Sequence, residues 1–141
     1  MSRDRAKILV IDDDPDVLLL LRHTLESEGF HTTLAGEGET ALKRIEAERP
    51  DVVLLDVMMP VMDGWAVLER ISAKPRPPRV IIVSAKVGEQ DRVRALTLGA
   101  VEYVTKPFNP AKLVRAIREV LGLSKEEQDL RRSEQLAALR Y

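Results

Sequence analysis

Four short apolar runs punctuate this sequence: Ile8-Leu9-Val10-Ile11, Val52-Val53-Leu54-Leu55, Val80-Ile81-Ile82-Val83 and Val101-Glu102-Tyr103-Val104. The first three are continuous rather than alternating. A strand hidden on both faces reads this way, because helices cover a parallel sheet on either side. His31-Thr32-Thr33-Leu34-Ala35 is a weaker, more polar strand that suits a sheet edge. Between the runs, Val17, Leu18, Leu21 and Leu25 share one arc of a helical wheel, and Leu113, Ile117, Val120 and Leu121 share another. Residues 37–48 and 64–73 read as helices with less pronounced faces. Residues 88–98 offer chiefly Val93, Leu96 and Leu98, an ill-defined stripe that predicts the least firmly packed helix. The pattern is an α/β chain of five βα units. Right-handed crossovers then build a three-layer, doubly wound, five-stranded parallel sheet.

At 141 residues the chain has room for one domain and an appendage. Its 22 Lys and Arg against 23 Asp and Glu leave a net charge of −1, so nothing global favours nucleic acid or an anionic membrane. With no cysteine and two histidines, any metal is expected to be held by oxygen. No run approaches the ~18 apolar residues of a membrane span, and a soluble cytoplasmic chain is the expectation.

In a doubly wound sheet, ligands bind beyond the carboxyl ends of the strands. After the first strand come Asp12-Asp13-Asp14-Pro15. Asp14 reads as a helix N-cap with Pro15 at the first helical position. That does not account for Asp12 and Asp13, which would lie side by side facing Asp56, the acid after the third strand. Three crowded carboxylates repel unless a cation sits among them, and hard oxygen donors suit Mg²⁺. Taken alone, Asp56 is equally an ordinary turn residue, Ser84 a helix cap and Lys106 a solvated charge. Together they place a carboxylate nucleophile, a metal, a hydroxyl donor and an ammonium on one rim. Phosphoryl transfer to a carboxylate needs that set. Pro107 restrains Lys106, because a residue before proline is held extended.

Five segments, Ile8-Leu9-Val10-Ile11-Asp12-Asp13-Asp14, Leu55-Asp56-Val57-Met58-Met59-Pro60, Met62-Asp63-Gly64, Val83-Ser84-Ala85 and Lys106-Pro107-Phe108, occur in an order and spacing that resembles the receiver domain of bacterial two-component response regulators. The resemblance covers roughly residues 6–122. It implies a flavodoxin-like (βα)5 fold with strand order 2-1-3-4-5. It also implies a phosphorelay signalling switch, not an enzyme beyond its self-catalysed phosphorylation and dephosphorylation. Asp56 would accept the phosphoryl group from a sensor histidine kinase, a phosphotransfer protein or a small acyl phosphate. Mg²⁺ would be bound by Asp13, Asp56 and the backbone carbonyl of Met58, with Asp12 acting through water. Ser84 would hydrogen-bond the phosphoryl oxygens, Lys106 would pair with them, and the Lys106-Pro107 bond would be cis.

Tyr103 stands three residues before Lys106, the position of the family's rotating aromatic switch. Its plainer reading is a sheet residue with an exposed hydroxyl. Met58 and Lys86 occupy positions that tune phosphoryl lifetime in the family, with no sign assignable here. The switching surface would be the fourth helix, fifth strand and fifth helix, acting on a downstream protein or an effector domain. Gly64 reads as a turn glycine with unusual backbone angles, and Trp65 as a packing residue. Two rivals are a haloacid-dehalogenase-like phosphatase using Asp12 and a degenerate receiver that only docks. A flavodoxin-like FMN binder is disfavoured, since three aspartates would repel its phosphate.

The receiver is expected over residues 1–122, with a helical tail or linker over 123–141. Ser124 and Glu127 form a capping box after the stop at Gly122. Residues 125–140 then read as a polar helix with Leu130 and Ala137 one heptad apart, either a solvated tail or a coiled-coil linker. A homodimer through the switching surface or the tail stays open.

Overall fold

A computed structural model describes residues 5–59, 63–85 and 88–139 of the chain; Pro60, Met62 and Lys86 lie outside them. The strands are β1 (Lys7–Ile11), β2 (His31–Ala35), β3 (Val52–Leu55), β4 (Arg79–Ser84) and β5 (Glu102–Thr105). They form one parallel sheet in the order β2-β1-β3-β4-β5. The helices are α1 (Pro15–Ser27), α2 (Gly38–Glu48), α3 (Gly64–Ser72), α4 (Glu89–Thr97), α5 (Pro110–Leu121) and α6 (Lys125–Leu139).

The continuous apolar runs have the expected cause. Alternate residues of one strand feed two separate cores. Leu9, Ile11, Val53, Leu55, Val80 and Ile82 pack with residues of α2, α3 and α4, including Leu42, Ile45, Leu68, Ile71 and Ala95. Ile8, Val10, Val52, Leu54, Ile81 and Val83 pack on the other side with Leu21, Leu25, Leu113 and Ile117 of α1 and α5. No helix among the described residues is long and apolar enough to cross a membrane.

Pairing register fixes the rim. Ile11 stands opposite Leu55, so the next residue of each strand, Asp12 and Asp56, emerges side by side. Ser84 stands opposite Thr105, which places Lys106 one step beyond. The backbone keeps these residues in the ladder: Asp56 N–H donates to the Ile11 carbonyl (3.0 Å), Asp12 N–H to Ala35 (3.1 Å) and Lys106 N–H to Ser84 (2.8 Å). At α1 the Asp14 carboxylate accepts from the Asp16 N–H (2.9 Å) and Pro15 opens the helix, as expected.

One expectation needs correction. Gly64 does not sit at unusual backbone angles; positive φ among the glycines occurs at Gly29 and Gly99. Gly64 is required by close approach instead, since a Cβ there would lie 2.2 Å from Val57 Cα and 2.4 Å from the Asp56 carbonyl oxygen. Helix α4 buries Ala95 and Leu96, whereas Val93 and Leu98 are only half-buried, and its outer side is covered by α6.

The capping box forms as read: Glu127 N–H donates to Ser124 Oγ (3.1 Å) and Ser124 N–H to Glu127 Oε1 (2.8 Å). One face of α6 packs against α4. Gln128, Arg131, Arg132, Gln135, Leu136 and Leu139 form a half-buried stripe at helical spacing, turned to the domain. Leu130 is 60% exposed and Ala137 also faces solvent. The expected heptad pair thus points away from the body. Replacing Ser124 with alanine removes one of the two capping bonds and is expected to weaken α6 by about 1 kcal/mol, read as faster amide exchange over residues 125–139.

Candidate functional site

Asp12, Asp56 and Ser84 are among the few polar residues buried in the domain, at 3%, 6% and 0% exposure. Each stands at the carboxyl end of a strand directly after a run of core side chains, so burial follows from position in the sheet. Asp12 and Asp56 survive there because their oxygens are matched. Asp12 Oδ1 accepts from the Asp14 N–H (2.9 Å), and Asp56 Oδ1 accepts from the Met58 N–H (2.8 Å). The other oxygen of each accepts from Lys106 Nζ, at 2.6 Å for Asp12 and 2.9 Å for Asp56. One ammonium therefore clamps two carboxylates brought from the adjacent strands β1 and β3. The Lys106-Pro107 bond is cis, which accords with the sequence expectation.

Electrostatics at this rim are strained by burial. Removal from water pushes the Asp12 carboxyl above the usual carboxylate range, against the hydrogen bonds from Lys106 and the Asp14 backbone that lower it. At Lys106 burial works against the charge, but the hydrogen bonds and charges of Asp12 and Asp56 prevail and raise its pKa. Lysine stays cationic. Asp13 is exposed, and its carboxylate approaches those of Asp12 and Asp56, with one oxygen from each lying within 4.8 Å of the others. Three carboxylates against one ammonium leave an excess of negative charge. This oxygen-only donor set, open to solvent through Asp13, fits a hard divalent cation that keeps part of its water.

Ser84 and Tyr103 also meet. The Tyr103 ring is buried at 6% exposure beside Ser84, whose side chain works to lower the tyrosine pKa. The plainer reading of an exposed hydroxyl does not hold. Burial, reinforced by the charge of Asp91, raises the Tyr103 pKa, so the hydroxyl keeps its proton. Arg92 of α4 lies over the ring, 5.3 Å from its centre.

Met58 is half-exposed beside Asp13, in a shallow depression that also includes Met59, Asp63, Trp65 and Arg94. Arg94 stacks on Trp65 with its guanidinium carbon 4.3 Å from the ring centre. Sequence reasoning passed over both arginines. A cation on an aromatic ring of another element leaves no spacing signal.

The sequence matches the family described as the response regulator receiver domain over residues 8–118. Relatives include the alkaline phosphatase synthesis transcriptional regulatory protein PhoP of Bacillus subtilis, 39% identical over 118 residues that span 84% of this chain and 49% of that protein. The DNA-binding response regulator MtrA of Mycolicibacterium smegmatis is 40% identical, spanning 90% of this chain and 55% of its own length. The chain thus spans about half the length of the curated relatives it matches. Among solved structures, a CheY-like response regulator receiver domain protein from Methanospirillum hungatei superposes with a TM-score of 0.80 at 31% identity, covering 89% of this chain and 98% of that one.

Fold and rim together define a doubly wound domain with an acidic pocket at its carboxyl edge. The chain belongs to the response regulator receiver domain family.

Proposed function

We propose that this chain is a phosphorelay switch that carries the phosphoryl group on Asp56. The observation that supports this most is the Lys106 clamp, an ammonium held within 2.9 Å of the Asp56 carboxylate at a solvent-accessible rim. A carboxylate oxygen of Asp56 attacks phosphorus and forms an O–P bond. The bond from phosphorus to the donor breaks, and its electron pair leaves with the imidazole of a phosphohistidine or the carboxylate of an acyl phosphate.

Asp13, Asp56 and the Met58 carbonyl would hold Mg²⁺ directly, with Asp12 acting through water; the ion supplies neutralisation of charge on the phosphoryl oxygens. Lys106 exchanges a carboxylate for a phosphoryl oxygen without leaving the rim. Ser84 donates its hydroxyl hydrogen to another phosphoryl oxygen, with the buried Tyr103 ring packed beside it. The Tyr103 ring is already in the buried position, so this reading needs no inward swing of an exposed side chain.

The acyl phosphate on Asp56, which carries a charge of roughly −2 where the carboxylate carried a single one, then biases β4, α4 and β5. The donor is a sensor histidine kinase or phosphotransfer protein. The output is a protein partner or an effector domain, in keeping with the transcriptional and DNA-binding titles of the relatives. In the test, the chain is incubated with Mg²⁺ and acetyl phosphate, then digested and mapped by mass spectrometry. The adduct is expected on the peptide containing Asp56. An adduct elsewhere, or sustained turnover of an aryl phosphate that Asp12→Asn abolishes, would favour the phosphatase rival.

A further inference from the structure

Helix α6 reaches the switch residue Tyr103 through a single carboxylate. β5 is the edge strand of the sheet. There the Tyr103 backbone N–H donates to Glu102 Oε1 (3.2 Å), while Glu102 Oε2 pairs with the Arg131 guanidinium of α6. Arg131 lies within 3.9 Å of Glu119 on α5 as well. Both partners of the main pair are sheltered, with side-chain exposures of 26% for Arg131 and 22% for Glu102. The same face of α6 packs on α4, the helix whose Arg92 covers the Tyr103 ring. The start of α6 is anchored to β4, where Arg79 donates to the Leu123 carbonyl (2.7 Å). One helix thus packs on α4 and reaches β5 and α5 through Arg131, with its start tied to the entry of β4.

We infer that α6 is a clasp for the switch, with Arg131 as a positioning residue that, through Glu102, holds Tyr103 buried against Ser84. This rests on the reading of Asp56 as phosphoacceptor. A Tyr103 ring held in the buried position confines the neighbouring Ser84 side chain to the rim, so a docked α6 favours the phosphoryl-bound arrangement. Linkage makes the relation mutual: whatever occupies the phosphoryl position also tightens α6.

The test uses the full chain, with beryllofluoride and saturating Mg²⁺ as probe. Calorimetry gives the apparent Kd and hydrogen exchange follows residues 89–97 and 125–139. In wild type, loading is expected to slow exchange over both helices. Arg131→Glu is expected to weaken the probe's binding by about fivefold, the lower end of ordinary coupling between sites. Arg131→Gln should move the same way by less, and Arg131→Lys should stay close to wild type. Glu102→Arg combined with Arg131→Glu restores the pair with reversed charges and is expected to recover binding. Arg131→Glu and Arg131→Gln binding the probe as tightly as wild type overturn the clasp, whether or not α6 exchange rises, and leave the Asp56 reading intact. A wild-type chain that does not bind the probe at all overturns that reading and the clasp with it.

Discussion

Asp56→Asn is expected to take up no phosphoryl group from acetyl phosphate, while folding as the wild type does. Asparagine has almost the same shape, and its amide oxygen can still accept from the Met58 N–H that Asp56 now binds at 2.8 Å. What disappears is the anionic nucleophile, together with one of the two negative partners that Lys106 holds. The carboxylate set for Mg²⁺ falls to Asp12 and Asp13, so metal affinity is expected to drop as well. Lys106→Ala gives a contrasting result. It keeps nucleophile and metal donors and loses one stabilising charge, so loading should slow by about 10²–10³-fold without vanishing. Intact mass after timed incubation separates the two, and urea unfolding of both variants shows whether the fold persists. Wild-type loading in Asp56→Asn would remove Asp56 from the mechanism.

How far the sequence carries this picture depends on the range of each interaction. Strand ends were readable because continuous apolar runs mark doubly covered strands, and the first polar residue after each run must surface at the rim. Asp12, Asp56 and Ser84 follow from that rule alone, Lys106 stands one residue past Thr105, and the Asp14-Pro15 cap is local by nature. Tyr103 could be placed in β5 but not given a burial state, which depends on Arg92 of α4 and the Ser84 hydroxyl.

The docked α6 was not readable at all. Its inner face is Gln128, Arg131, Arg132, Gln135, Leu136 and Leu139, too polar to register as an apolar stripe. The heptad pair that did register, Leu130 and Ala137, is on the solvent side. Arg131 earns its burial from Glu102, a partner on another element. Likewise, α4 looked ill-defined because alanine carries little weight in a hydrophobic pattern, although Ala95 is fully buried.

Gly64→Ala is expected to cost both stability and ligand binding, and the reason lies in what surrounds the missing side chain. At an ordinary helix position the exchange would gain up to about 1 kcal/mol from helix propensity. Here the new methyl would fall 2.2 Å from Val57 Cα and 2.4 Å from the Asp56 carbonyl oxygen. Both are backbone atoms, so no side-chain rotation relieves the overlap. Either the start of α3 retreats, breaking the Gly64 N–H bond to the Val57 carbonyl (3.1 Å), or the segment carrying Asp56 and Met58 is displaced. Overpacking of this kind costs about 1–3 kcal/mol, more where the backbone must move, and we expect a net loss of about 2 kcal/mol in urea unfolding. Displacement of the Asp56 segment should also weaken Mg²⁺ binding, although no ligand is touched. Gly36→Ala supplies the control. It lies next to the same rim, but its methyl would meet nothing nearer than the Asp12 carbonyl oxygen at 3.9 Å, an ordinary contact. If both variants bind Mg²⁺ and unfold alike, the close packing of α3 on the Asp56 segment has no energetic consequence. If only Gly64→Ala suffers, the glycine is there to bring a helix against the backbone of Asp56 itself.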